Sequence, residues 1–355
     1  MPSMRPDLAL FGGYHSPQID VDVRLNTNES PLSPSPEFLK ELSEAIGELS
    51  LNRYPDRTAT ALRAALAELH KVDPDEIFIA NGSNEVISTV LAAYGGPGRK
   101  AMTFEPTYAM YAQVAKVTST GLIEVERDSN FRLDLSAVLE ANSEQRPDIV
   151  FFCSPNNPTG LQEDPDIIAR LAEDEHPLII IDEAYGQFAS FSAMELAAKY
   201  PNIVVSKTFS KVWSLAGLRL GYLLGPKEII ANLWASCLPY HLDSIKQTAG
   251  VLALEQIGEM QATLDLILSG REQIESGFDE LSVEYWKSSA NFVLFRAPSG
   301  RGDDLWNSLV NRSVLVRNCS GWPRLADCLR VTVGTREEND RFLMALSQAL
   351  VELRS

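Results

Sequence analysis

Cysteine and histidine are scarce in this chain, with four of each among 355 residues. The cysteines, Cys153, Cys237, Cys319 and Cys328, form no CxxC pair. That excludes a disulfide-stapled scaffold and leaves buried free thiols in a reducing compartment as the expectation. His15, His70, His176 and His241 lack metal-ligand spacing, so no metal site is expected and all four read as packing or surface residues. No run reaches the roughly 18 apolar residues of a membrane span. Residues 1–10 show no basic stretch leading into an apolar core, so no secretory signal is expected and a cytoplasmic location is. Positive charge is also short. Lys and Arg number 31 against 48 Asp and Glu, giving a net charge of −17, which argues against nucleic acid or an anionic membrane as partner. There is no internal repeat or low-complexity tract. No GxGxxG follows the first strand-like run, which sets aside a dinucleotide-dependent dehydrogenase.

What is present reads as a soluble globular protein, 45% hydrophobic and 22% charged. The length exceeds what one compact core usually holds, so two lobes are expected. Residues 1–35 are irregular and proline-rich (Pro2, Pro6, Pro17, Pro31, Pro34) and read as an extended arm outside the core. Helical spacing follows at Pro36–Ser50 and Ala59–His70. Short apolar runs then alternate with helical stretches: Ile77–Ala80, Ala101–Phe104, Leu122–Val125, Ile149–Cys153, Leu178–Ile181, Ile203–Val205 and Leu218–Leu224. Nearly continuous Val, Ile and Phe mark strands buried on both faces. The alternation predicts an α/β fold with a seven-stranded, mostly parallel sheet. After Gly225 a largely helical stretch, including Met260–Phe278, precedes strand-like pieces at Asn291–Phe295, Val314–Val316 and Leu329–Val333 and a closing helix over Glu337–Leu353. This pattern predicts a smaller α+β lobe. The expected division is an arm at 1–35, a large domain at 36–240 and a small domain at 241–355.

In such a sheet, ligands gather at the carboxyl ends of the strands, and polar groups cluster there. Ile77–Ala80 enters Asn81-Gly82-Ser83-Asn84-Glu85, a turn into a helix whose free N–H groups suit a phosphate, although many strand–helix turns look alike. Ile149–Cys153 enters Ser154-Pro155-Asn156-Asn157-Pro158, either a tight turn alone or one that fixes an amide side chain. Leu178–Ile181 ends in Asp182-Glu183-Ala184-Tyr185. A carboxylate there needs a cationic partner, unless it only caps a helix. Ile203–Val205 leads through Lys207 to Thr208-Phe209-Ser210-Lys211, with Gly217-Leu218-Arg219 after a short gap. A partly desolvated lysine becomes a Schiff-base nucleophile, and Ser210 and Arg219 are placed to hold a phosphate beside it.

Asn157, Asp182, Tyr185, Lys211 and Arg219 stand in the order and spacing of fold-type I pyridoxal 5′-phosphate (PLP) aminotransferases, which the chain resembles over essentially its whole length. Leu25-Asn26-Thr27-Asn28-Glu29-Ser30-Pro31, Asn52-Arg53-Tyr54-Pro55-Asp56 and Cys328-Leu329-Arg330-Val331-Thr332-Val333-Gly334-Thr335 are similar to the histidinol-phosphate aminotransferase branch. The resemblance implies an aspartate-aminotransferase-like fold with PLP carried on Lys211, which also moves the substrate Cα proton. It implies Asp182 against the pyridinium nitrogen, Asn157 and Tyr185 on the phenolic oxygen, and Tyr108 stacked on the ring. Arg219, Ser210, Thr208 and the backbone at Ser83 and Asn84 are then the phosphate ligands. Lys207 follows the same strand but has the wrong distance to Gly217 and Arg219.

The resemblance further implies a homodimer in which Tyr54 reaches the neighbouring subunit's cofactor phosphate. Arg330 matches the substrate α-carboxylate arginine, Arg317 the distal-anion position, and Tyr14 the wall of the substrate pocket. The small-molecule partners implied are an amino acid and a 2-oxo acid, and the reaction histidinol phosphate with 2-oxoglutarate to imidazole-acetol phosphate and glutamate. An aromatic or other aminotransferase paralogue and a phospho-amino-acid decarboxylase share this pattern. A non-catalytic binding protein is disfavoured by the intact Asp182, Lys211 and Arg219.

Overall fold

The structure is a computed structural model that describes residues 3–5, 8 and 17–354. Its strands fall into two sheets. The first strand, β1 (Val23–Leu25), belongs to the smaller one. The next seven build the larger: β2 (Ile77–Ala80), β3 (Lys100–Glu105), β4 (Gly121–Glu126), β5 (Ile149–Cys153), β6 (Leu178–Asp182), β7 (Ile203–Thr208) and β8 (Gly221–Leu224). Their order is β2-β8-β7-β6-β5-β3-β4. Only β8 runs antiparallel to its neighbours β2 and β7, and the other pairs are parallel. The expected seven-stranded, mostly parallel sheet is therefore present.

Every residue of β5 and β6 is buried, because the sheet is covered on both faces. Successive side chains alternate between faces. Phe151 and Ile180 enter one apolar layer with Val86, Ile87 and Tyr111, while Val150, Phe152, Ile179 and Ile181 enter the other with Ile168 and Leu171. The covering helices begin where the sequence offers caps. Asp134 accepts from the Ala137 N–H and Asp164 from the Asp166 N–H, satisfying donors that a helix leaves open. Because the crossovers are parallel, β3, β5, β6 and β7 all end on one edge of the sheet, at Glu105, Cys153, Asp182 and Thr208.

The smaller sheet adds β9 (Glu284–Tyr285), β10 (Phe292–Arg296), β11 (Val314–Asn318) and β12 (Cys328–Thr332), in the order β1-β11-β12-β10-β9. Helices Ile257–Leu281 and Arg336–Arg354 lie on it, with Phe278, Phe295 and Phe342 in mutual ring contact.

Two sequence readings need correction. The proline-rich arm is not all outside the core, since β1 pairs in parallel with β11 and buries Val23 and Leu25 almost completely. Each such side chain contributes about 1.5–3 kcal/mol. The apolar run Leu218–Leu224 is a strand only from Gly221. Ala216–Leu218 form a 3₁₀ turn and Arg219 takes a left-handed φ of 54°.

Candidate active site

A cavity of about 360 Å³ opens at the carboxyl edge of the large sheet, and β11 and β12 of the small sheet close its far side. Its described lining includes Lys211, Arg219, Arg317 and Arg330 against one carboxylate, Asp182. In a chain with net charge −17, this concentration of cations is local and built. Arg317 and Arg330 are buried, and such a group of cations suits anionic ligands.

Lys211 follows β7. Its Nζ donates to the Asn28 carbonyl at 2.7 Å and lies 5.4 Å from the Tyr185 ring centroid. Burial, then the Arg330 charge, lower its pKa to about 7, with Arg219 adding to this and Glu29 and Asp182 opposing. A substantial share of the amine is therefore neutral at physiological pH, the form that attacks a carbonyl. Lys207, four residues earlier, is buried elsewhere in an ion pair with Glu183. Glu183 also accepts from Ser192 Oγ at 2.9 Å. Lys207 is thus neither at the cavity nor at the surface.

Asp182 ends β6 and is 2% exposed. Tyr111 donates its hydroxyl to Oδ2 at 2.8 Å, and the Ala184 N–H donates to Oδ1 at 3.1 Å. Burial still lifts the carboxyl to about 6. Such an acid, fixed in orientation and held near its ionisation point, suits a partner that brings one positive charge. Sequence reading missed Tyr111. The available signal was its place three residues after Tyr108, which puts both rings on one side of the helix start. The two rings meet edge-on at 5.7 Å, and Tyr111 stacks on Phe151 at 4.8 Å.

Tyr185 receives a hydrogen bond from Asn28 Nδ2 at 2.9 Å, which leaves its own hydroxyl proton to donate. Burial pushes this phenol's pKa upward, so it stays protonated. Within the Asn pair, Asn156 is the framework residue, fully buried and bonded to Thr107, Pro106 and Thr159. Asn157 instead lines the cavity and accepts from Arg330 Nη1.

Arg330 donates through Nη2 to the Asn26 carbonyl at 3.1 Å and lies 5.1 Å from the Phe292 ring centroid. Its buried Nε has no hydrogen-bond partner among the described residues. A guanidinium tied to neutral acceptors, with one buried donor spare, is prepared for a carboxylate from outside. Arg317 stands directly across from it in the β11–β12 register and lines the same cavity.

The opposite corner is an anion cradle. The helix Ser83–Tyr94 starts without a side-chain cap, and its N-cap Gly82 has a φ of 80°. Side-chain bulk is excluded here, because a Cβ on Gly82 would stand 2.9 Å from Arg219 Nη2. One on Gly221 would stand 2.8 Å from the Gly82 and Ser83 backbone. Arg219 Nη1 is 3.4 Å from Ser210 Oγ, which also accepts from Thr208 at 3.0 Å. Tyr108 donates to Asn84 Oδ1 at 3.0 Å. Free helix N–H groups, two hydroxyls and a guanidinium fit a phosphate.

The structure thus brings Ser83, Asn84, Tyr108, Asn157, Asp182, Tyr185, Thr208, Ser210, Lys211, Arg219, Arg317 and Arg330 to one cavity. Tyr54 is not among its lining residues. It is 81% exposed and stacks on Tyr240 at 4.6 Å. Tyr14 lies outside the described residues. Asn28 and Trp322 are further lining residues to which sequence reading gave no role.

Comparison with known proteins places this arrangement in context. The sequence profile of "Aminotransferase class I and II" matches residues 20–346. A histidinol-phosphate aminotransferase of Corynebacterium diphtheriae is 40% identical, over 96% of this chain and 95% of that protein. The crystal structure of histidinol-phosphate aminotransferase from Sinorhizobium meliloti, in complex with pyridoxal-5′-phosphate, superposes with a TM-score of 0.90 at 22% identity, covering 99% of each chain. A Thermus thermophilus aspartate aminotransferase mutant gives a TM-score of 0.82 at 22% identity, over 99% of this chain and 100% of that one. The aspartate-aminotransferase-like fold expected from the sequence is the fold observed.

Proposed function

Because this chain belongs to the class I and II aminotransferase family, we propose that it is the enzyme exchanging an amino group between histidinol phosphate and 2-oxoglutarate. The products are imidazole-acetol phosphate and glutamate. The observation that carries this reading is the pair of buried arginines, Arg317 and Arg330, side by side on β11 and β12 and facing the cavity of Lys211. Glutamate presents two carboxylates, and histidinol phosphate, which has no α-carboxylate, presents a phosphate dianion on the carbon next to its amine-bearing one. Two separate cations suit both substrates.

The cofactor we assign is pyridoxal 5′-phosphate, and the residues fit it. The uncapped helix start at Ser83, with Ser210, Thr208 and Arg219, would hold its phosphate. Asp182, lifted to about 6 by burial, would pair with its ring nitrogen. Tyr108 would lie on the ring, while Asn157 and Tyr185 would reach its phenolic oxygen. When bound, the cofactor supplies a carbonyl that condenses with amines and a ring that draws electrons from the substrate Cα.

The chain's own residues do the rest. Arg330 takes the α-carboxylate of glutamate as a bidentate pair and so fixes the Cα–H direction. Lys211, whose amine has a pKa near 7, would carry the proton from the substrate Cα to the cofactor's C4′. Asp182, ionised above about pH 6, would stabilise the protonated ring nitrogen. Arg317 binds the distal anion.

A homodimer belongs to the same proposal. Tyr54, Leu51, Leu238 and Tyr240 are exposed apolar or aromatic residues, and in a second copy Tyr54 would meet the neighbouring cofactor phosphate.

The test is a single-turnover absorbance measurement on PLP-loaded protein, with histidinol phosphate, glutamate, phenylalanine and threonine phosphate added separately. Conversion to the pyridoxamine band with the first two is the expected result. Conversion with phenylalanine but not histidinol phosphate overturns the substrate assignment. Release of carbon dioxide from threonine phosphate overturns transamination.

A further inference from the structure

The segment after β1 places a buried amide, Asn28, between the two sheets. Asn28 is 1% exposed and takes a left-handed φ of 54°. Its N–H donates to Thr332 Oγ1 on β12 at 2.9 Å. Its carbonyl accepts from Lys211 Nζ at 2.7 Å and from Asn291 Nδ2 at 3.2 Å. Its side chain then joins Thr332 to Tyr185. A threonine hydroxyl has a single proton. With the Thr332 oxygen accepting from the Asn28 N–H, that proton is left for Asn28 Oδ1, 3.3 Å away. The two ends of an amide are told apart by the groups they meet. Oδ1 therefore faces β12, and Nδ2 donates to the Tyr185 hydroxyl at 2.9 Å. The Tyr185 ring stands edge-on to Phe292, with centroids 5.0 Å apart, and lines the cavity.

We infer that Asn28 is a positioning residue for the hydroxyl proton of Tyr185: the relay from Thr332 through Asn28 to Tyr185 aims that proton into the cavity. The inference rests on the proposed function, which places the cofactor's phenolic oxygen there. Gly, Asn and Asp take left-handed backbone most readily, and of these only Asn meets the demand. Gly has no side chain to donate. A carboxylate would accept the Tyr185 proton and draw it out of the cavity. Burial keeps the phenol protonated, so the amide decides the direction of the proton and not its presence.

The test reads the apparent pKa of the covalent cofactor absorbance in the PLP-loaded protein, with thermal unfolding of the cofactor-free protein beside it. A proton donated to the phenolic oxygen draws off negative charge and lowers this pKa, so withdrawing the proton raises it. Tyr185→Phe and Asn28→Asp each raise it by about 1–2 units, the scale of one hydrogen bond to a charged oxygen. Thr332→Val frees the amide to turn over and gives a smaller rise, while Thr332→Ser restores the wild-type value. Thr332→Val decides by itself where the buried carboxylate of Asn28→Asp prevents folding. The charge of that carboxylate is separated by repeating Asn28→Asp in the Tyr185→Phe background, where the rise falls to less than half. The titratable groups facing the Tyr185 hydroxyl are Arg330 on β12, Lys211 after β7, Cys153 at the end of β5 and Tyr108 before the helix Met110–Val117. Glu29, Arg219 and Asp182 lie further around Lys211. All are retained in every variant. An equal rise from Asn28→Asp in both backgrounds overturns the inference, as does a Thr332→Val protein that unfolds earlier with its pKa unmoved. If Tyr185→Phe leaves the pKa unmoved, the placement of the phenolic oxygen falls and the inference with it. If Tyr185→Phe raises it while Asn28→Asp and Thr332→Val do not, only the inference falls.

Discussion

Replacing Tyr111 with phenylalanine removes one hydroxyl and leaves the ring on Phe151 and against Tyr108. Asp182 keeps the Ala184 N–H but loses its O–H donor at 2.8 Å. A hydrogen bond to a buried charged group contributes about 1.5–3 kcal/mol, and about 1.4 kcal/mol corresponds to one pKa unit. The carboxyl, lifted by burial from 3.8 to about 6 in the wild type, therefore moves to roughly 7–8 in the variant. The sign of the stability effect follows from proton counts. Between its ordinary value of 3.8 and about 6, the folded wild type keeps a proton that the unfolded chain has released. Stability from this group thus falls as pH rises through that window and levels off above it. In the variant the fall continues to about pH 8. The difference in unfolding free energy between the two proteins should grow by about 2 kcal/mol from about pH 5.5 to about pH 8.5. Other carboxylates cancel in that difference. Urea unfolding of the cofactor-free proteins at the two pH values measures it. An equal difference at both would refute the claim that the Tyr111 hydroxyl favours ionised Asp182.

The two lysines near β7 should separate cleanly. Lys211→Met should abolish transamination and the covalent cofactor absorbance while leaving thermal unfolding nearly unchanged. Lys207→Met leaves Glu183 buried without its cation and should cost about 3–5 kcal/mol of stability, yet a folded fraction should still bind PLP covalently. Calorimetry with absorbance spectra on both variants decides, and the same phenotype in both would refute the separation. Arg330→Lys keeps the charge but loses the fork held by Asn157 and Asn26. A loss of about 2–4 kcal/mol in transition-state binding, or roughly 30- to 1,000-fold in kcat/KM, is expected for every amino donor, charged or uncharged. A loss confined to donors with a distal anion would refute the α-carboxylate role.

The chemistry-bearing residues at strand ends were legible because each follows a short apolar run, where a buried strand must meet the cavity. Asp182, Lys211 and the Asn157 turn all have that signature. The residues that orient them were not legible, because their partners lie far along the chain. Asn28 touches Tyr185 and Lys211 across 157 and 183 residues, and no local pattern encodes that. Trp322 sits in a loop without hydrophobic periodicity. The strand Val23–Leu25 is three residues long, too short for alternation to outweigh the surrounding prolines. Leu218–Leu224 misled for the opposite reason. Its composition is apolar apart from Arg219, while the left-handed backbone at that residue breaks the strand and brings the guanidinium to the cavity.

The parallel pairing of β1 with β11 also bears on how the protein comes to exist. Val23–Leu25 leaves the ribosome long before Val314–Val316 is made to receive it. The seven strands between residues 77 and 224 can pair in the meantime. Asn28 then bonds Thr332, and Arg330 bonds Asn26, each across 304 residues. Closing so long a loop carries an entropic cost before any contact rewards it, which makes it a late and slow event. The reactive lysine therefore acquires its Asn28 carbonyl, and the cavity its two strand arginines, only when the first and last parts of the chain meet. Until then a nascent or half-folded molecule holds the lysine without the groups that direct it, so the competence to take a substrate arrives together with the finished fold.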